Sequence, residues 1–276
     1  MNKSFIKKTA TFLATIFAST ALFCACGSGD DTPKKPTLPE LIIGVDYYQP
    51  FVYLDDEGNF SGIDVDLAVE ICRHIGYTPK FVGIDWAEKQ YYLASGEIDC
   101  VWTCFTVTGR EDDYSWTVPY MKSRQVVAVQ ENSDINTIAD LKDKRVAVQS
   151  TTKPDEIFSG RSGVKDLQIP KLKQLNCFPN MNYTFAAINN GYVDAIAGHE
   201  VVLLEYMKTS SVKLKILPEA LLEVEVGVAF LKGTHADIIE KINQTFILLK
   251  HNEYISSLFS SYGLDPEVYL VNYEKR

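Results

Sequence analysis

The sequence predicts an α/β fold with a mostly parallel sheet, and two observations support this. Short apolar strands are predicted at 41–46, 80–84 and 98–105, and segments with helical spacing of apolar residues separate them. The segment before the third strand ends at Gly96, a residue at which helices commonly stop. A chain of 276 residues suits one large domain or two modest ones.

The composition is that of an acidic globular protein. Hydrophobic residues make up 46% of the chain and charged residues 23%, so most of the chain is expected to fold. The formal net charge is −9. This charge argues against nucleic acid as a partner, because phosphate binding requires a basic face.

Residues 1–26 have the pattern of a targeting segment. Three lysines precede an uncharged run at 9–23. The run is short for a helix that spans a membrane and has the length of a signal-peptide core. We therefore expect residues 1–26 to direct the chain to export.

The end of this segment carries two cysteines. The residues at 23–27 read FCACG, which resembles the lipobox of bacterial lipoproteins. Cys26, which follows a small residue, is the predicted lipidation site, and Cys24 is the second candidate. A plain membrane anchor would leave the cysteine pair unexplained. Residues 27–40 are polar and proline-rich, and they are predicted to tether the folded part to the lipid.

The remaining cysteines are predicted to be buried free thiols. Cys100 and Cys104 share a face of a predicted strand but lie too far apart along it to bond directly. No CxxC spacing and no nearby histidine accompanies them, so a zinc site is not expected. The four cysteines of the predicted folded part are Cys72, Cys100, Cys104 and Cys177.

The polar residues after the third strand suggest a small anion site. Thr103 and Thr106 lead to the solitary Arg110. Ligands of open α/β sheets bind at the carboxyl ends of the strands, and the arginine fork matches a carboxylate with two parallel hydrogen bonds. The alternative is that Arg110 is a solvated loop arginine among acidic neighbours, and the residues alone leave both interpretations open.

Three other places carry candidate binding residues. Asp46 ends the first strand and Tyr48 follows it. Tyr48 is either part of the rim or, as the family resemblance given below implies, a ligand contact. Trp86 follows the second strand and is a candidate core residue, and the family resemblance given below implies, as an equal alternative, a place at a cleft wall. Thr151 and Thr152 follow a strand and precede a helix, so backbone N–H groups at the helix start could bind a carboxylate, although hydroxyl-rich caps are common.

Several of these motifs together resemble the solute-binding proteins of polar amino acid uptake systems. The central stretch 98–120 keeps an aspartate, spaced threonines and an arginine before a Ser-x-x-x-Pro-Tyr segment, with one residue deleted before the arginine. The other matches, in chain order, are YQPF at 48–51, GIDVDLA at 62–68, VAVQSTT at 146–152 and YVDAIAGH at 192–199.

The resemblance implies two α/β lobes joined by two crossing strands, with a ligand cleft between them. Lobe 1 would cover 41–126, lobe 2 would cover 127–224, and 225–276 would return to lobe 1. The protein would capture an amino-acid-like solute and pass it to an ABC permease. It would act as a monomer without cofactor, metal or catalytic residue, lipid-anchored on the extracellular face of the cytoplasmic membrane.

The resemblance also implies roles for the candidate residues. Arg110 would bind the solute's carboxylate, with help from the backbone of Thr151 and Thr152. His199 falls where the family has the aspartate that holds the α-ammonium. The other roles would be orientation of the solute by Thr103 and Thr106, cover of its apolar part by Tyr48 and Trp86, and recognition of its other end by Asp46, His199 and Glu200.

Two rival functions stay open at this level. Some members of this fold are dehydratases of small carboxylates, and His199 with Glu200 could serve as acid and base. A lipoprotein that partners a separate sensor is the second alternative.

Overall fold

A computed structural model describes residues 37–271. The strands of this part are β1 Glu40–Val45, β2 Tyr53–Leu54, β3 Phe60–Ser61, β4 Thr78–Gly83, β5 Cys100–Val101, β6 Tyr114–Trp116, β7 Met121–Gln130, β8 Arg145–Gln149, β9 Gln174–Phe178, β10 Ala195–His199, β11 Leu214–Val226 and β12 Ala229–Leu231. The α-helices are α1 Ile63–Ile75, α2 Lys89–Ser95, α3 Lys153–Phe158, α4 Met181–Asn189, α5 Glu200–Thr209, α6 Ala236–His251, α7 Tyr254–Ser261 and α8 Pro266–Tyr269.

The strands form two five-stranded sheets, which confirms the α/β class and the two-lobed fold. The first sheet has the order β4-β1-β5-β12-β6, and β1 runs parallel to both β4 and β5. The second has the order β11-β7-β10-β8-β9, with parallel pairing of β8 to β9 and β10. We refer to the two sheets with their helices as lobe 1 and lobe 2.

Two segments carry the chain between the sheets. The chain leaves the first sheet after Trp116 and enters the second at Met121, and it returns between Val226 and Ala229. β7 and β11 pair antiparallel from Met121 and Val226 onward, so the outgoing and returning chains run side by side. The strands of the second sheet therefore span 121–226, a few residues beyond the lobe boundaries expected at 126 and 224.

The third strand of lobe 1 is much shorter than expected. It comprises only Cys100 and Val101, because Cys104 has a φ of +41° and its N–H donates to a carboxylate oxygen of Asp64 at 2.6 Å. The chain bends there, so the segment after Val101 forms a loop. Asp64 also accepts a hydrogen bond from the Tyr120 hydroxyl at 2.7 Å, so it anchors two loops of lobe 1 instead of capping its helix.

The C-terminal helices pack on lobe 1. The helical region that begins at Ala236 divides into α6 and α7, since Glu253 adopts a left-handed conformation with φ +62°. The apolar face of α6 joins the core cluster that contains β1 and α1, with Ile242 and Phe246 fully buried. In the described part of the chain, no helix is long and apolar enough to cross a membrane.

The predicted thiols fall into two groups. Cys72, Cys100 and Cys104 are free and buried, as expected. Cys177 is free but exposed, because it lies on β9 at the edge of the second sheet. The predicted signal peptide, Cys24, Cys26 and the tether up to residue 36 lie outside the described residues.

Candidate functional site

A narrow cleft between the two lobes has a free volume of about 20 Å³, which is little more than a single water molecule requires. It is lined by residues from the strand ends and loops of both lobes. These residues are Asp46, Tyr48, Trp86, Thr103, Cys104, Phe105, Thr106, Arg110, Gln125, Gln149, Thr152, Lys153 and His199. The structure thus brings most of the predicted site residues together, and it places Thr151 and Glu200 outside the lining.

Arg110 is buried and reaches across the cleft. Its Nε and Nη2 donate to the same carboxylate oxygen of Glu156, at 2.9 and 2.6 Å, and its guanidinium lies over the Phe105 ring. Nη1 donates to the Thr106 carbonyl and Nη2 to the Thr151 carbonyl. Arg110 is therefore not a solvated loop arginine: in this structure its fork holds a carboxylate contributed by lobe 2.

The second Glu156 oxygen accepts a hydrogen bond from Lys153 Nζ at 2.6 Å. The Lys153 side chain is fully buried and also donates to the Ser162 carbonyl. One carboxylate thus joins two cations from opposite lobes. Burial and the nearby charge of Arg110 lower the pKa of Lys153.

Thr151 supports this arrangement from its backbone, but its N–H is already used. The residue is left-handed, with φ +57°, and its N–H donates to Asp155 at 2.8 Å. Thr152 precedes α3 and its hydroxyl donates to the Gln149 carbonyl at 2.6 Å. The expectation that the Thr151 N–H binds a solute carboxylate at the helix start is therefore wrong, because this N–H already donates to Asp155.

A buried lysine lies next to Trp86. Lys89 Nζ donates to the Trp86 carbonyl at 3.1 Å and to the Thr151 hydroxyl at 2.9 Å, and it lies 4.6 Å from the centre of the indole ring. Burial, with the charge of Arg110, lowers the pKa of Lys89 to about 8. Trp86 packs edge-to-face on Phe105, so it is both a core residue and a wall of the cleft.

Asp46 connects the lobes on the other side of the cleft. Its carboxylate accepts hydrogen bonds from the Tyr47 N–H at 2.8 Å and from Gln149 Nε2 at 2.5 Å, and its own N–H donates to the Thr103 hydroxyl. Burial raises the pKa of Asp46 to about 6 despite these hydrogen bonds.

His199 lies at the end of β10 and is held on both ring nitrogens. Nε2 is 2.9 Å from Gln125 Nε2 and 3.2 Å from the Thr106 hydroxyl, and Nδ1 is 2.9 Å from the Ser123 hydroxyl. Burial and the charge of Arg110 lower the pKa of His199 to about 3. The imidazole is therefore neutral at physiological pH. Tyr48 contacts it edge-on.

Glu200, the next residue, does not face the cleft. It forms an ion pair with Arg124, with a distance of 3.0 Å between Arg124 Nε and Glu200 Oε2. Glu200 starts α5, so its side chain leaves in a different direction from that of His199 at the end of β10. The expected role of Glu200 at the solute is wrong for this arrangement, and His199 and Glu200 do not form an acid–base pair.

Sequence reasoning missed Gln125, Gln149 and Lys153. The glutamines interrupt or end apolar strands, and both are almost completely buried. A buried amide requires hydrogen-bond partners, so a polar residue in such a strand was a usable signal. Lys153 gave no such signal, because a lysine in the first turn of a helix usually lies in solvent. Within residues 37–271, no cluster of three or more acidic, histidine or cysteine side chains is arranged to hold a metal ion.

Comparison with known proteins identifies the family of this fold and cleft. A family model described as bacterial extracellular solute-binding proteins, family 3, matches residues 41–265. The L-cystine-binding protein TcyA of Bacillus subtilis (strain 168) is 27% identical over 267 residues, covering 91% of this chain and 96% of that protein. A probable histidine-binding protein of Neisseria gonorrhoeae is 27% identical over 254 residues, covering 85% and 91%.

Solved structures have the same fold. The P235GK mutant of ArgBP from T. maritima superposes with a TM-score of 0.71 at 27% identity, covering 80% of this chain and 94% of that one. Tv2483 bound to L-arginine gives a TM-score of 0.75 at 24% identity, covering 85% and 95%. The ancestral amino acid-binding protein AncCDT-1, a precursor of cyclohexadienyl dehydratase, superposes with a TM-score of 0.71 at 25% identity, covering 80% of this chain and 94% of that one.

Proposed function

Because this chain belongs to the bacterial extracellular solute-binding proteins, family 3, we propose that it captures an amino acid or an amino-acid-like carboxylate and delivers it to an ABC permease. The observation that carries the proposal is the fork of Arg110, which holds a carboxylate inside the cleft between the lobes. A fork that binds Glu156 in this way is suited to bind the carboxylate of a solute in exchange.

The contacts across the cleft support capture by hinge closure. Arg110 to Glu156, Lys89 to Thr151, and Gln149 to Asp46 each connect lobe 1 with lobe 2. Opening the lobes would break these contacts and expose the lining, and closing around a solute would restore most of them. Within the closed cleft, Tyr48 and Trp86 would cover the solute's apolar part, and Thr103 and Thr106 would orient it.

The proposal includes the membrane attachment predicted from the sequence. The mature chain would carry acyl groups on Cys26 and lie on the extracellular face of the cytoplasmic membrane, as a monomer that meets its permease there. Replacement of Cys26 by serine should release the protein into the soluble fraction, whereas Cys24→Ser should not.

We propose binding without turnover. A dehydratase would need His199 and Glu200 to act together, but Glu200 forms an ion pair with Arg124 instead. Nuclear magnetic resonance of a bound carboxylate should therefore show the same compound after prolonged incubation, and conversion of that compound would refute this part.

The main test is the loss of binding on replacing the cleft arginine. The protein is unfolded and refolded to remove carried-over ligand, and amino acids and simple carboxylates are screened by thermal shift. A ligand at 100 times its dissociation constant raises the free energy of unfolding by about 2.7 kcal/mol. This increase raises the melting temperature of a chain of this size by roughly 5–11 °C.

Arg110→Gln should abolish the shift given by the compounds found. Arg124→Gln is the matched control, because it also removes an arginine from an ion pair with a glutamate, but outside the cleft. Equal shifts in wild-type and Arg110→Gln proteins would refute the carboxylate-binding role of Arg110, and the absence of any binding compound would count against the proposed function.

A further inference from the structure

Two buried polar atoms of the cleft have no hydrogen-bond partner within the described residues. They are Gln125 Oε1, an acceptor, and Trp86 Nε1, a donor. Both side chains line the cleft, and their residues are 0% and 6% exposed. Buried polar groups are nearly always paired in proteins, so these two atoms indicate where a bound solute supplies a donor and an acceptor.

The orientation of the Gln125 amide is held by its neighbours. Its nitrogen lies 2.9 Å from His199 Nε2 and 3.4 Å from the Thr106 hydroxyl. His199 is fixed in turn by the hydrogen bond between Nδ1 and Ser123. With the amide nitrogen engaged in this way, Oε1 is the part of Gln125 left for the solute.

The electrostatic environment opposes a cation at this position. Arg110 and Lys153 line the cleft and share the carboxylate of Glu156, and Lys89 lies beside Trp86 with no carboxylate within ion-pair distance in the described part of the chain. The imidazole of His199 is itself kept neutral by burial and by the charge of Arg110. A buried ammonium group beside it would meet the same two penalties.

Asp46 is the carboxylate that lines the cleft among the described residues. Both of its oxygens already accept hydrogen bonds, from Tyr47 and Gln149. The groups bonded around Gln125 are the neutral side chains of His199 and Thr106. An uncharged N–H therefore suits Gln125 better than an ammonium group does.

We propose that Gln125 determines specificity by accepting a hydrogen bond from an uncharged N–H, so that the cleft prefers a carboxylate solute with an acylated nitrogen over the free amino acid. An acylated nitrogen supplies both missing partners: its N–H suits Gln125 Oε1, and its carbonyl oxygen suits Trp86 Nε1. This inference rests on the proposed function, since it assumes that a small carboxylate binds in the cleft.

The test uses matched pairs of probes that differ only in the acyl group. Binding of L-glutamine, L-methionine and L-leucine and of their N-acetyl derivatives to the refolded full-length chain is measured by isothermal titration calorimetry. For at least one pair, we expect the acetylated member to bind wild-type protein about tenfold more tightly or better, which corresponds to about 1.4 kcal/mol.

Exchanging the amide for a carboxylate should reverse this preference. Gln125→Glu places a negative charge where the ammonium would lie, so the free amino acid should become the better ligand. Gln125→Met, which keeps the size but removes the amide oxygen, should reduce the preference without reversing it. This variant tests the role of Gln125 if Gln125→Glu does not fold. Gln130→Glu, on the same strand outside the cleft, should leave the preference unchanged.

Each outcome decides a separate point. Free amino acids that bind wild-type protein as tightly as their acetyl derivatives would overturn the inference and leave the proposed function in place. A preference for acetylated probes that both Gln125 variants retain would overturn the role of Gln125. Failure of every probe to bind would overturn the inference together with the amino-acid-like solute of the proposed function.

Discussion

The carboxylate that occupies the Arg110 fork gives a direct test of how the cleft loads. Glu156 accepts two charge-assisted hydrogen bonds from Arg110 and one from Lys153. A solute carboxylate that binds Arg110 must replace Glu156 as the acceptor of the two hydrogen bonds from Arg110. Glu156→Gln keeps the size and one acceptor oxygen but removes the charge, and therefore weakens the competitor without emptying the space.

The magnitude follows from these contacts. A hydrogen bond to a charged group contributes about 1.5–3 kcal/mol. If replacing residue 156 by the solute breaks one such hydrogen bond fewer in Glu156→Gln than in wild type, the solute should bind the variant about 10-fold to 150-fold more tightly. The empty variant should be less stable by a similar amount, so its melting temperature should fall by roughly 3–12 °C.

The assay measures both quantities on the same preparation. Calorimetry with a carboxylate ligand from the screen gives the affinity, and thermal unfolding without ligand gives the stability. Glu200→Gln is the control, since it weakens the comparable pair with Arg124 outside the cleft and should lower stability without changing affinity. Unchanged or weaker binding by Glu156→Gln would refute displacement and would make the Arg110–Glu156 pair a permanent part of the closed lobes.

Two further predictions concern stability. Burial raises the pKa of Asp64 to about 7, above its unfolded value. The folded protein therefore binds this proton more tightly, and the resulting stabilisation is lost as pH rises from about 4 to 7. Urea denaturation should show that the unfolding free energy of wild type minus that of Asp64→Asn falls over this pH range. A difference that does not change with pH would contradict the raised pKa of Asp64. Gly62 has φ +125°, and a Cβ there would lie 2.3 Å from the Phe51 carbonyl oxygen. Gly62→Ala should therefore cost about 2 kcal/mol or more. Gly58→Ala, where φ is +83° and a Cβ meets nothing within 4 Å, should cost about 1 kcal/mol. Equal losses in thermal unfolding would refute the steric explanation.

The sequence by itself determined the α/β class, most of the strands and helices, and the positions of several cleft residues. Periodicity and turn residues are local signals, so β1 and β4 lie close to their predicted bounds. Asp46 could be proposed as a cleft residue because it ends a strand of a predicted parallel sheet, whereas His199 was proposed from the resemblance to the family.

Only the tertiary structure decided which side chains meet across the cleft. Arg110 and Glu156 are 46 positions apart and lie on different lobes, and no local pattern specifies that a glutamate of α3 fills the arginine fork. For the same reason, the outward turn of Glu200 toward Arg124 and the inward position of Gln125 could not be read from the chain. Both depend on the packing of side chains from separate elements, and that packing fixes the direction of each side chain once the lobes have formed.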